Sequence, residues 1–427
     1  MIGVGIFTST GFMAGDLGSV SWIFFIWIVG AICALAGAVC YSELAINFPR
    51  SGGEYVYLTE AYGPTWGFMT GWVSFFAGFS APIAVTALAF VGYLSFFFPA
   101  LGPDKAVAFG SYLSLGPAQA AAAALILVFT LLNIFGLSRV AVIQNLLTWL
   151  KVAVLVALIV GGFALGTGDW SNFSQAAVRT STRSVEMQFF VSLFFVYLGY
   201  SGWNAATYIA EEIENPEHVL PRALAMGTIL VAVLYLLLNA VFIYAAPLEK
   251  MKGVFAIGSF SAERLFGSGI AGVFSALMAV GLMSSVSAMV TIGPRVYYAM
   301  AQQGAFLPAA AVVNKRWHTP IYAIVAQGII AAVLTLTPFR DLVNFAGFIL
   351  NFFAGLAVAS LFILRGRPGW RKLGPVSFAW PLAPAVFLFV AGLMTIIGAS
   401  LEPVTAGAAA ATVALGALFY HFFLRKS

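Results

Sequence analysis

Eleven apolar runs of about twenty residues, joined by short loops, constrain this chain more than any other feature: only lipid can be the solvent around them. The runs lie near 20–46, 65–97, 117–136, 140–165, 187–210, 221–246, 269–300, 320–337, 342–364, 378–398 and 403–424. Residues 2–17 form a twelfth, too short to cross alone, and a short slanting helix is expected near 253–266. Hydrophobic residues make up 62% of the chain and charged ones 8%, against about 25% charged in soluble domains, so no globular core could absorb the apolar surface. The expected fold class is an all-α membrane protein with about 12 transmembrane helices.

Charge sets the orientation rather than a nucleic-acid partner. The net charge is +5, but the basic residues sit singly in loops between runs. With the 47–64 loop placed in the cytoplasm, Lys and Arg collect on that side, which also puts the end of the chain there. Cys33 and Cys40 lie on one run, roughly 10 Å apart along a helix, too far for a disulfide. No disulfide-linked subunit, metal site or cofactor is expected, and His218, His318 and His421 are scattered in loops or near the end. No charged n-region precedes a short apolar stretch, so no signal peptide is read. No nucleophile, metal cluster or acid–base pair stands in a run, which argues against an enzyme.

The run at 187–210 breaks in its own middle. Leu198-Gly199-Tyr200-Ser201-Gly202-Trp203-Asn204 is poor helix material at membrane depth, where an unsatisfied backbone group costs several kcal/mol. A second break, Gly3-Val4-Gly5-Ile6-Phe7, opens the chain. Interrupted membrane segments in corresponding places point to a transporter's substrate site. Helix-start amides suit a carboxylate and helix-end carbonyls suit an ammonium. Gly3 to Ile6 would therefore hold one end of a zwitterion and Leu198 to Ser201 the other, with Gly202, Trp203 and Asn204 near its side chain. The competing reading is close helix packing on small residues, which fits Gly67 and Gly71 well. The breaks fall in spans one and six, as two inverted repeats of five spans would place them: 1–166, 187–366, and two appended helices in 375–427. The chain starts at the first break, so the cytoplasmic half-helix is expected to precede Met1.

Lys151 stands inside the apolar run, where a lysine costs roughly 2.5–3.5 kcal/mol on insertion scales. It reads as a fixed cation or a proton-loading group, with snorkelling as the alternative. Glu211, Glu212, Glu214 and Glu217 crowd the exit of span six, and Pro221 suits the first helical position after them. They read mostly as a solvated loop, with a gating ion pair to Arg50, Arg139 or Arg222 as the sharper alternative. Glu43, at the cytoplasmic end of span two, has the same two readings. Ser284, Ser285 and Ser287 are candidate cavity hydroxyls, though bonding back to their own helix is the commoner fate.

At these residues the chain resembles the amino acid–polyamine–organocation superfamily, in particular its L-type amino acid transporter branch and bacterial relatives. The motifs are Ile2-Gly3-Val4-Gly5-Ile6-Phe7; Tyr41-Ser42-Glu43-Leu44 with Ser51-Gly52-Gly53-Glu54-Tyr55 and Tyr62-Gly63-Pro64; and Tyr200-Ser201-Gly202-Trp203-Asn204 followed by Glu211-Glu212, Asn215-Pro216 and Leu220-Pro221-Arg222. Lys151 matches the branch's span-five lysine, and Arg365 with Pro368 closes span ten similarly. The resemblance implies a LeuT-type fold of five plus five inverted spans with helices 1 and 6 broken. It implies sodium-independent uptake or exchange of L-amino acids in the cytoplasmic membrane, with protons as a possible coupling ion. Val4 replaces the usual serine, and the half-helix before Met1 would form part of the cytoplasmic gate. The neutral amide of Asn204 points to neutral amino acids. The runners-up are a cationic amino acid or polyamine carrier and a membrane sensor that binds an amino acid without moving it.

Overall fold

The computed structural model describes the backbone of residues 1–50, 52–110, 112–135, 140–302, 304, 306–314 and 316–424, and the side chains of all of these except 140–145, 209, 211 and 212. In chain order the helices are α1 (Val4–Leu17), α2 (Val20–Asn47), α3 (Glu54–Tyr62), α4 (Pro64–Val73), α5 (Ala81–Leu94), α6 (Pro117–Ile134), α7 (Val140–Leu165), α8 (Val185–Tyr200), α9 (Pro216–Ala245), α10 (Leu248–Met251), α11 (Ile257–Phe266), α12 (Ser268–Gln302), α13 (Ile321–Leu334), α14 (Phe339–Leu364), α15 (Gly374–Phe378), α16 (Leu382–Leu401) and α17 (Pro403–Phe419). A π-helical stretch, Ser74–Ser80, joins α4 to α5 into one continuous span, Pro64–Leu94. Nine stretches among the described residues are long and apolar enough to cross a membrane, and α8 and α13 are shorter apolar helices. The chain is thus an all-α, multi-pass integral membrane protein.

The expected runs fall on these helices with shifts of a few residues. The short helix anticipated near 253–266 is α11. Three features were not anticipated: the amphipathic α3, the small hairpin of Val107–Phe109 with Leu113–Leu115, and the π-helical stretch. One expectation is corrected. Pro216, not Pro221, occupies the first turn of α9, and Pro221 lies inside the helix.

The packing follows a rule. Between helices that are not neighbours in the chain, the most extensive contacts pair α1 with α8, α2 with α9, α5 with α12, and α6 with α13. With spans counted from α1, each partner comes five spans later. α14 lies across α8, α3 and α16, and α7 lies against α12 and α9. α1 and α8 therefore sit at the middle of the bundle, flanked by α2 and α9 on one side and α14 on another.

α1 is held from every side. Its inner half meets α8 so closely that a Cβ on Gly5 would overlap the backbone of Gly199. Tyr93 of α5 donates to the Phe7 carbonyl (3.1 Å), and Thr10 donates to Asn239 of α9 (2.8 Å). Around its outer end, Ala177 and Thr180 donate backbone bonds to Gly18 and Gly15 (2.9 Å each), and Gly253 donates to Gly11 (3.0 Å). Two loops thus seal the outer end of α1.

Candidate functional site

The start of α1 meets the break in span six; Val4 to Phe7, expected as part of a break, lie within the continuous helix α1. α8 ends at Tyr200, the chain turns through 201–204, and it resumes as a 3₁₀ helix, Ala205–Glu212. Gly202 has φ of 89°, a left-handed conformation in which a Cβ is strained. Ser201, Gly202, Asn204 and Ala205 are half-buried or exposed, whereas the turn of α8 before them is buried, so the unwound segment borders open space. On the other strand of the crossing, α1 begins at Val4 with Gly3 as its cap and no capping side chain. The first-turn amides are therefore left without a side-chain partner, as an uncapped helix start requires.

The carbonyl end is partly engaged already. Ser201 N–H donates to the Leu198 carbonyl (3.1 Å). The Tyr235 hydroxyl of α9 shares its proton between the carbonyls of Gly199 and Met1, 2.9 Å from each. Tyr235 thus clips the residues before α1 to the end of α8. Trp27 of α2 packs edge-on against both Tyr200 and Tyr235, and Tyr200 donates to the Trp27 carbonyl (3.2 Å). Tyr200 thus points at α2, away from the crossing. Trp203 is buried against Tyr41 and Phe387. The carbonyls of Tyr200 and Ser201 accept no backbone bond among the described residues and are the freest acceptors there. Gly5 serves as a packing residue at the crossing, the reading set against a site above, while its amide remains in the first turn of α1.

A narrow apolar cleft borders this segment from the far side, lined by Cys33, Tyr197, Tyr200, Trp203 and Phe387. Its wall suits an apolar group rather than a zwitterion, so the polar chemistry lies at the crossing.

Lys151 is buried, and its Nζ donates to Ser285 of α12 (3.0 Å). Its stem runs over Gly281, where a Cβ would stand 2.7 Å from Lys151 Cγ. Snorkelling does not describe it. Ser285 also donates back to the Gly281 carbonyl (3.3 Å), the commoner fate set against a cavity role above.

The expected gating pairs resolve differently. Glu43 is fully buried and accepts from Arg365 Nε (2.6 Å), Trp370 Nε1 (2.8 Å) and the Leu373 amide (3.0 Å). Arg365 in turn lies over the Trp380 ring at 4.1 Å. Arg50 pairs instead with Glu60 at the surface (2.7 Å), and Arg222 is exposed on α9. The Glu211 side chain and the whole of Arg139 fall outside the described residues. Glu43 therefore ties α2 to the loop after α14, where Arg365 was read only as closing span ten.

Three features escaped sequence reasoning. Asp16, at the outer end of α1, accepts from Arg340 Nη2 at both carboxylate oxygens (2.9 and 2.8 Å), with Arg340 also over the rings of Phe12 and Phe195. Asn344, one helical turn further into α14 on the same face, is fully buried with neither side-chain atom hydrogen-bonded. A buried amide without partners is rare in native proteins and marks a place where a ligand or water fits. Glu54, quoted above only as part of a motif, is buried and accepts from Tyr41 (3.0 Å), Asn204 (2.5 Å) and Tyr208. A signal for the first two existed: Asp16 and Asn344 are polar residues in or beside apolar runs.

Comparison with known proteins identifies the family. A family model described as amino acid permease matches residues 1–419. The human cystine/glutamate transporter is 29% identical, over 99% of this chain and 82% of its own length. The serine/threonine exchanger SteT of Bacillus subtilis (strain 168) is 29% identical, over 94% of this chain and 88% of its own. Large neutral amino acids transporter small subunit 2 of Mus musculus is 27% identical, over 98% and 77%.

Proposed function

The chain belongs to the amino acid permease family, and on that premise we propose that it carries neutral L-amino acids across the cytoplasmic membrane by alternating access, without sodium, as an exchanger or proton symporter. The observation that supports this most is the crossing itself. Uncapped amides at the start of α1 and the carbonyls of Tyr200 and Ser201, at the break in span six, stand on the two elements that Tyr235 clips together. That is the arrangement a zwitterion needs at its two ends. The span pairing described above fits two five-span halves packed face to face.

Neutral selectivity rests on Asn204, an amide where an acid would favour a cation. The nearby Glu54 carboxylate is already engaged by three donors. The relatives named above differ in substrate, from cystine and glutamate to serine and threonine, and all are transporters. Lys151, buried against α12, is the coupling candidate: a fixed cation in an exchanger, a proton carrier in a symporter. Both cysteines lie within α2, so we infer no disulfide-linked companion.

Thermal unfolding of the purified protein against a panel of amino acids tests the reading. Neutral L-amino acids should raise the midpoint, with lysine, putrescine and D-enantiomers inert. A shift confined to lysine or putrescine would move the assignment to a cationic carrier.

A further inference from the structure

Glu54 is the first residue of α3, which packs on α4 and α14, whereas Asn204 ends the unwound part of span six and Tyr208 lies in the 3₁₀ helix that follows it. The Tyr208 ring lies directly over Gly53, where a Cβ would come within 2.6 Å of it. The carboxylate is buried, with Oε1 taking Tyr41 and the Asn204 amide nitrogen, and Oε2 taking Tyr208. Among the described residues no Lys or Arg pairs with it.

A carboxylate only accepts hydrogen bonds, whereas an amide carries a donor end and an acceptor end. Glu54 therefore dictates which end of Asn204 faces it: Nδ2 must. The other end, Oδ1, receives no hydrogen bond among the described residues, and Asn204 is half-buried at the border of the open space beside the break. We propose that Glu54 is the positioning residue that turns Asn204 so that its carbonyl oxygen, and not its NH2, is offered to the substrate side chain. The site then selects among neutral amino acids. Side chains that donate a hydrogen bond, a hydroxyl or a carboxamide, are preferred over apolar side chains of the same shape. This inference rests on the transport reading above and adds the preferred substrate class.

The same geometry alters what Asn204→Asp would do. A second carboxylate would be placed against Glu54, and two such groups at hydrogen-bond distance repel unless one holds a proton or a cation lies between them.

The test compares isosteric pairs, threonine against valine and asparagine against leucine, by counterflow in proteoliposomes. One hydrogen bond corresponds to roughly tenfold in KM, so the parent should favour the donor of each pair by about that factor. Glu54→Gln can donate from its own amide to Oδ1 and release Asn204, so the ratio should fall toward one, mainly through KM of the donor substrate. Glu54→Asp, which keeps the charge on a shorter arm, should also lower it. Asn204→Ala should abolish it. A parent that exchanges amino acids with no preference within the pairs would overturn the inference and leave transport standing. So would Glu54 variants that slow both members of a pair equally, which is what a merely structural carboxylate would do. A parent without counterflow of any amino acid would instead remove the transport reading on which the inference rests.

Discussion

Asp16 and Arg340 join α1 to α14: one guanidinium nitrogen of Arg340 reaches both carboxylate oxygens of Asp16, at 2.9 and 2.8 Å. Asp16 is 5% exposed in its side chain and Arg340 35%. Removing a partner from a fully buried pair costs roughly 3–5 kcal/mol, and the exposure of Arg340 lowers that figure here. Arg340→Ala leaves Asp16 buried with only the Ser192 hydroxyl, 3.3 Å away. The expected result is a lower unfolding midpoint and about tenfold slower exchange, with Asp16→Asn in the same chain restoring the midpoint but not the rate. Differential scanning fluorimetry beside counterflow checks both halves.

The Glu43–Arg365 pair should behave as a tie and not as a gate. Its members are 0% and 9% exposed, and Glu43 has three donors. Glu43→Ala would strand Arg365 in a buried setting at a cost on the order of 3–5 kcal/mol. The expected outcome is loss of folded protein on size exclusion. Glu43→Gln should recover fold and transport together. A folded Glu43→Ala with altered substrate access would restore the gating reading.

At the crossing, Gly5→Ala tests whether contact between α1 and α8 is required. Its methyl would overlap Gly199, an overpacking defect of roughly 1–3 kcal/mol. Gly407→Ala in α17, with nothing within 4 Å, is the control and should be silent. Amino acid binding by the first variant, followed by thermal shift, should be lost even in protein that remains folded.

Replacing Lys151 by Met keeps the stem over Gly281 and removes the charge. Intramembrane ionisable groups are functional by default. Transport should fall about a hundredfold if the cation is required in every cycle, with substrate binding changed far less. Uptake driven by an inward proton gradient should disappear with it in a symporter, and a pH-independent counterflow in the parent would assign the fixed-cation role.

The spans and the break in span six were legible because membrane burial writes them into local composition: glycine and polar residues inside an apolar run have few explanations. Lys151 was legible for the same reason. What each polar group bonds to was not. Glu43 finds Arg365 some three hundred residues away, Asp16 finds Arg340, and Glu54 finds Asn204, and no spacing along the chain encodes those meetings. Gly5 shows the limit from the other side. A glycine in a break and a glycine in a tight crossing leave the same letter, and Gly5, expected in a break, is helical and stands at the crossing. The small helix α3 was hidden by its length and mixed polarity, yet it carries the carboxylate that engages Asn204.

The central claim is amino acid transport through the crossing of α1 and the unwound segment of span six, and counterflow measures it most directly. The protein would be reconstituted in sodium-free proteoliposomes. Labelled neutral L-amino acids would be offered outside, with and without unlabelled amino acid inside, at two pH gradients. The account predicts saturable uptake, stimulated by internal amino acid or by the proton gradient, and lost in Gly5→Ala. Saturable binding with no uptake under any gradient would contradict it and identify an amino acid sensor instead.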